Sequence, residues 1–67
     1  MKELLKSLQT EFKRIKQKEE SILSYNIEHQ NDIEAKDLVN INKGRLEELA
    51  ARKISLGILI YKLKKMI

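Results

Sequence analysis

The sequence predicts an all-α fold, an antiparallel hairpin of two long helices, and three observations lead to this prediction. Apolar residues recur every three or four positions through most of the chain, which is the spacing of one face of an amphipathic helix. The sequence shows neither sustained apolar–polar alternation nor an Asn-Gly or Asp-Gly turn, the signals of strands and β-hairpins. It has no Pro and only two Gly among its 67 residues, so long helices meet few breaks.

The first predicted helix covers residues 2 to about 28. Its apolar side chains form one stripe of the helix, and they are Leu5, Leu8, Phe12, Ile15 and Ile22. Glu19 and Asn26 occupy two positions of this stripe where an apolar residue is expected. Polar groups at such positions fix the register or the oligomeric state of paired helices, at some cost in stability.

A turn is predicted at about residues 29–31. Asn31 is a favourable N-cap residue and Glu34, three positions later, completes a capping-box pattern, so the second helix is expected to begin at Asp32. Asp32 and Glu34 also place negative charge in the first turn, where the helix dipole favours it. The single imidazole, His29, is interpreted as an exposed turn residue rather than a pH switch or a catalytic base.

The second predicted helix covers residues 32 to about 66. Asn42 and Lys53 interrupt its apolar stripe, whose heptad-like spacing is kept by Val39, Leu46, Leu49, Leu56, Ile60, Leu63 and Ile67. A Gly inside a helix costs up to about 1 kcal/mol relative to Ala, so a kink or break near Gly44 is the alternative to a continuous helix. The continuous helix is favoured, because only one turn-forming residue argues against it.

The position of the turn determines which residues of the two helices are expected to face each other. A hairpin that reverses near residues 29–31 places position 19 opposite a residue near position 41. An ion pair between Glu19 and Lys53 within one chain is therefore not expected. Each of these residues is interpreted instead as a group that sets register or oligomeric state.

The C-terminal part of the second helix carries more apolar residues than one partner helix can cover. From position 54 to position 67, apolar side chains point in several directions, and a helix of this kind is buried on more than one side. The hairpin is therefore expected to complete a helical bundle, as a homodimer or by docking on another helical protein. The predicted partner interface consists of Ile54, Leu56, Ile58, Ile60, Tyr61, Leu63 and Ile67. Within the hairpin, Leu56, Ile60, Leu63 and Ile67 are expected to pack against Leu5, Leu8, Phe12 and Ile15.

Several classes of functional site are excluded by the composition. Without Cys, the chain has no disulfides, thiolate metal sites or cysteine nucleophiles, and one His is too few for a zinc site. The acidic pairs Glu19-Glu20 and Glu47-Glu48 are adjacent in sequence, so their side chains diverge by about 100° on a helix and do not share a site. We predict no catalytic, cofactor-binding or metal-binding residue and no enzymatic activity.

The charge pattern supports an alternative function. The formal net charge is +4, and basic residues gather on one flank of the first helix, where nucleic-acid contacts would be Lys6, Lys13 and Arg14. The longest uncharged apolar stretch, Ile54 to Tyr61, is far shorter than the about 20 residues of a membrane-spanning helix. Charges near the start of the chain also leave no room for the apolar stretch of a signal peptide, so a cytoplasmic location is expected.

One segment resembles a known enzyme family. The stretch Arg45 to Lys64 is similar to the long first helix of the AroQ-type chorismate mutases, and the resemblance implies catalytic roles for Arg52 and Lys62. It covers about 20 residues of a Leu-, Ala-, Arg- and Lys-rich helix at the C-terminal end of the sequence, with too few residues after it for the family's remaining helices. The activity is not carried over. The predicted function is a small non-enzymatic protein–protein interaction module, an adaptor, chaperone or regulator of bacterial or phage origin, with a nucleic-acid-binding regulator as the alternative.

Overall fold

Two long α-helices and a short 3₁₀ turn between them form the fold in the computed structural model, which describes residues 2–67. Helix α1 comprises Lys2–His29, the 3₁₀ turn comprises Ile33–Ala35, and helix α2 comprises Lys36–Met66. The two helices pack against each other as an antiparallel hairpin, which confirms the predicted all-α fold. Helix α2 runs without interruption through Gly44, so the preferred continuous form of the second helix is also confirmed.

The reversal between the helices differs from the predicted turn in its capping residue. Asp32, not Asn31, is the N-cap, and its Oδ1 accepts a hydrogen bond from the backbone N–H of Glu34 at 3.1 Å. Asn and Asp are about equally favourable N-cap residues, so Asp32 follows the same preference one position later than predicted. The cap opens the 3₁₀ turn rather than an α-helix, so α2 begins at Lys36 instead of Asp32.

His29 is part of this reversal and is not an exposed turn residue as predicted. It is the last residue of α1 and is half-buried, with its ring centroid 4.3 Å from that of Tyr25. Its Nδ1 lies 3.5 Å from Oδ2 of Asp32, and its carbonyl oxygen accepts a hydrogen bond from the backbone N–H of Asp32 at 3.0 Å. The imidazole therefore helps to close the end of α1.

The contact between α1 and α2 follows one stripe of each helix, which we call the seam. Its α1 residues recur with heptad spacing and are all buried or half-buried: Leu5, Leu8, Phe12, Ile15, Glu19, Ile22, Asn26 and His29. Its α2 residues, also buried or half-buried, are Val39, Asn42, Leu46, Leu49, Lys53, Leu56, Ile60 and Leu63. Both stripes thus occupy the positions that the sequence pattern predicted, including the polar interruptions, except that Ile67 is 56% exposed and that His29 joins the α1 stripe.

The helices are paired about position 34 rather than position 30. Asn26 and Asn42, equally far from position 34, are hydrogen-bonded to each other at 3.1 Å. The 3₁₀ turn shifts the centre of the hairpin along the chain, since residues 33–35 still belong to the reversal. Pairing about position 34 places position 19 opposite position 49. Lys53 lies one helical turn further along α2, and its long side chain brings Nζ to 2.9 Å from Oε1 of Glu19. The expectation that these two residues do not form an ion pair was wrong, because the predicted turn was too early.

The hydrophobic core of the hairpin is thin. Within residues 2–67 only Ile15, Ala35 and Asn42 are classed as buried, with 2%, 7% and 7% of their surface exposed. The molecule measures 51 × 15 × 12 Å, and its radius of gyration of 15.3 Å exceeds the about 11 Å of a globular chain of this length. Both helices therefore have long sides that no other part of the chain covers.

Candidate interaction surface

Helix α2 carries a second heptad-spaced line of residues on the side away from α1. We call it the outer stripe, and it consists of Glu47, Ala51, Ile54, Ile58, Tyr61 and Lys65. Residues spaced alternately by three and four positions lie on one face of a helix, so these side chains form a continuous row. All six are exposed, whereas the seam residues on the opposite side of the same helix are half-buried.

The middle of the outer stripe is a contiguous apolar patch. Ile54, Ile58 and Tyr61 expose 64%, 51% and 60% of their surface. Single exposed apolar residues are common on protein surfaces, but neighbouring ones on a helix face form a patch that water solvates poorly. Tyr is enriched in protein interfaces, because its ring offers apolar contact while its hydroxyl retains a polar partner.

The ends of the outer stripe carry opposite charges. Nζ of Lys65 lies 4.7 Å from the centroid of the Tyr61 ring, a cation–π contact that holds both side chains on the same face. Glu47 occupies the other end of the row. Across residues 2–67, neither Glu47 nor Lys65 takes part in a salt bridge. The stripe is therefore negative at its N-terminal end, apolar in the middle and positive at its C-terminal end.

The seven predicted interface residues fall into two groups in the structure. Ile54, Ile58 and Tyr61 lie together on the outer stripe, where they are accessible. The remaining four follow the seam register. Three of them are half-buried towards α1, namely Leu56, Ile60 and Leu63. The fourth, Ile67, is 56% exposed at the end of the chain. Phe12 reaches this end of α2, since a Cβ atom placed on Gly57 would lie 3.8 Å from its Cε2 atom. The hairpin thus uses three of the predicted residues internally and leaves Ile54, Ile58, Tyr61 and Ile67 exposed.

Paired polar groups within the seam explain why this side of α2 faces α1. The carboxylate of Glu19 and the ammonium of Lys53 bind each other with 14% and 33% of their side chains exposed. The Asn26 amide accepts a hydrogen bond from Nδ2 of Asn42 and donates one to the carbonyl oxygen of Val39 at 3.3 Å. No buried side-chain nitrogen or oxygen in the described part of the chain lacks a partner. Each interruption on α1 is matched by one on α2, which the sequence analysis noted singly but did not pair.

The predicted nucleic-acid contacts lie on exposed parts of α1 and are Lys6, Lys13 and Arg14. Arg14 also lines a shallow groove between the helices together with Lys18 and Arg52. Glu11 lines the same groove, and its Oε1 lies 3.4 Å from Nη2 of Arg52. The groove therefore combines cations from both helices with one internal counter-ion.

The two residues singled out by the chorismate mutase resemblance occupy ordinary surface positions. The side chain of Arg52 is 65% exposed and binds Glu11, and Lys62 is exposed. Among residues 2–67 no three His, Cys, Asp or Glu side chains are grouped as metal ligands. No helix in that same range is long and apolar enough to cross a membrane. No protein-family model, curated protein or solved structure matches the chain.

Proposed function

We propose that the protein is a small non-enzymatic interaction module that binds a helical protein partner through the outer stripe of α2. The observation that supports this function is the contiguous exposure of Ile54, Ile58 and Tyr61 on a helix whose other side is already covered. Burying apolar surface contributes about 25 cal/mol per Å², so a partner that covers this patch gains free energy from it. The class of module, whether adaptor, chaperone or regulator, depends on what that partner does.

The accessible surface of the hairpin is larger than that of a typical folded monomer of the same mass. A folded monomer of 7.9 kDa exposes about 4,400 Å² by the usual scaling with mass. The hairpin exposes 5595 Å², about 1,200 Å² more. In a standard protein–protein interface each partner buries about 800 Å². The excess surface of the hairpin, which is spread over both helices, is thus larger than one partner's share of a standard interface.

Site-specific photo-crosslinking tests this function in the cell that produces the protein. A photoreactive phenylalanine analogue replaces Tyr61 in one variant and Gln17, an exposed polar residue of α1, in a control variant. We expect a protein adduct from position 61 and little or none from position 17. Equal adducts from both positions, or none from position 61, would contradict the proposal.

Nucleic-acid binding is a second candidate, supported by the groove that Arg14 shares with Lys18 and Arg52. Contacts between cations and phosphates release counter-ions, so this function requires an affinity that falls steeply with salt concentration. It also requires that reversing the charge of Lys13 and Arg14 abolishes binding while helicity is kept. An RNA or DNA adduct from position 17 rather than a protein adduct from position 61 would favour this candidate.

A further inference from the structure

We infer that the partner on the outer stripe is a second copy of this chain, bound with the two α2 helices antiparallel across a two-fold axis beside position 56. This inference rests on the proposed function and identifies the occupant of the same surface. It follows from the order of side chains along the stripe, which is complementary to itself when one copy is reversed.

In the antiparallel dimer, the apolar side chains of the two outer stripes are complementary in size. Rotation about an axis at position 56 places Ile54 of one copy against Ile58 of the other, since both are two residues from the axis. The same rotation places Ala51 against Tyr61, so the largest side chain of the stripe meets the smallest. Near the axis, the exposed Ser55 flanks the stripe, and a small side chain there lets two helix backbones approach closely.

The charged residues at the two ends of the outer stripe are also complementary between the two copies. Glu47 and Lys65 are both nine residues from position 56, so each pairs with its opposite charge on the other copy, and the dimer contains this pair twice. On one flank, Glu48 lies near Lys62 of the other copy in the same alignment. A parallel, in-register pairing would instead place Glu47 against Glu47 and Lys65 against Lys65, which like-charge repulsion disfavours. The charge order therefore selects the antiparallel dimer.

The extent of the stripe sets the strength of this contact. From Glu47 to Lys65 it spans about 27 Å of helix at about 1.5 Å per residue. A contact of one helix pair over this length is smaller than a standard interface, and an affinity in the micromolar range is expected. In the dimer the two α2 helices lie in the centre and each α1 lies on the outside, because α1 covers the opposite side of its own α2.

Sedimentation equilibrium of charge-reversal variants tests both the occupant and the orientation. Glu47→Lys alone and Lys65→Glu alone each place two like-charge pairs in the antiparallel dimer, and we expect each to weaken dimerisation about tenfold. An equimolar mixture of the two variants restores both attractive pairs in a heterodimer, and so does the double variant with itself. Recovery in the mixture to wild-type affinity is the expected result.

Two further variants separate dimerisation from folding. Ile58→Asp removes the apolar centre, and we expect about 100-fold weaker dimerisation, with helicity followed by circular dichroism. Gly44→Ala lies outside the paired segment and serves as the control that leaves the dimer unchanged. If Ile58→Asp loses its helicity, its weaker dimerisation does not test the inference. The recovery of affinity in the charge-reversal mixture then tests it instead.

A wild-type chain that stays monomeric to about 500 μM, where a micromolar dimer is fully formed, would overturn the inference, and so would a mixture that fails to recover. The photo-crosslink at position 61 distinguishes this failure from failure of the proposed function. An adduct with twice the mass of the chain supports the second copy, whereas an adduct with a different protein keeps the function and overturns the dimer.

Discussion

The two sides of α2 show the same spacing but different chemistry. The seam side is interrupted by Asn42 and Lys53 in its interior, and both find polar partners on α1. The outer stripe has an uninterrupted apolar centre, and its charges lie only at its ends. Apolar spacing alone qualifies either side for burial. What distinguishes them is the match between polar positions, which ties the seam to α1, while no residue of α1 covers the outer stripe.

Polar matching of this kind sets specificity more than stability. Replacing a buried ion pair by apolar residues is often neutral or stabilising, whereas removing one partner is costly. Seam polar groups therefore select one register and one partner surface for α2 at some cost to the thin core. The outer stripe lacks such interior groups; in the dimer that we propose, its apolar centre provides affinity and its terminal charges provide orientation.

The largest expected effect comes from breaking the ion pair of the seam. Glu19→Lys places two ammonium groups at the 2.9 Å contact with Lys53. Because Glu19 is 14% exposed and Lys53 33%, we expect a loss of about 2 to 4 kcal/mol, most of the about 3 to 5 kcal/mol available to a small core. Urea unfolding followed by circular dichroism measures it. The exchange Glu19→Lys with Lys53→Glu restores the pair, and no recovery in that double variant would contradict the role of the contact.

A smaller loss is expected from the amide pair. Asn42→Ala leaves the Oδ1 atom of the half-buried Asn26 without its donor, which costs about 1 to 3 kcal/mol. Replacing both Asn26 and Asn42 by Leu removes both polar groups together, and we expect a hairpin at least as stable as the wild type. Thermal unfolding of the three proteins compares them. A double variant less stable than Asn42→Ala would show that the amides contribute stability rather than register.

Gly44→Ala tests the continuity of α2 without changing the seam or the outer stripe. A Cβ atom at position 44 meets nothing within 4 Å, and the residue lies inside a continuous helix. We expect a gain of about 0.5 to 1 kcal/mol in the free energy of unfolding, because Ala has the higher helix propensity and restricts the unfolded chain. Gly57→Ala is the matched comparison, since its Cβ atom would contact Phe12. A loss of stability in Gly44→Ala would mean that the helix is interrupted at this residue.

The smallest effect is expected at the surface pair of Glu11 and Arg52. Their contact is 3.4 Å long, with 41% and 65% of the two side chains exposed. Surface pairs of this type contribute at most about 1 kcal/mol, and Arg52→Ala is expected to change stability by less than that. Urea unfolding at low and high salt checks the value. A loss as large as that of Glu19→Lys would remove the distinction between seam and surface charges.

The sequence predicted the helices and both stripes, because helical periodicity is a local property that each segment carries by itself. It did not predict the pairing of Glu19 with Lys53, because that depends on the length of the reversal. Asn31 and Asp32 are both good caps, and the choice of Asp32 with its 3₁₀ turn shifts the residue opposite position 19 from about 41 to about 49. The Lys53 side chain spans the remaining helical turn to Glu19. Polar positions alone do not give the register, because Glu19 and Asn26 are seven residues apart whereas Lys53 and Asn42 are eleven apart.

The outer stripe was predicted only in its apolar part. Ile54, Ile58 and Tyr61 were recognised because they lie off the seam. Glu47 and Lys65 were missed, because charged residues on an exposed face are usually solvated and carry no separate signal. Their heptad spacing relative to Ile54 and Tyr61 was the available clue. The cation–π contact of Lys65 with Tyr61 makes the shared face visible in the structure.

Disulfide trapping of the antiparallel dimer tests the central claim most directly, since the sequence contains no Cys. Protein carrying Glu47→Cys is mixed with protein carrying Lys65→Cys under oxidising conditions, and each is also oxidised alone. A disulfide requires Cα atoms within about 7 Å, whereas two copies of either position lie about 27 Å apart in the antiparallel dimer. We predict a crosslinked dimer in the mixture and none from either protein alone. Efficient crosslinking of either variant with itself, or none in the mixture, would contradict the account.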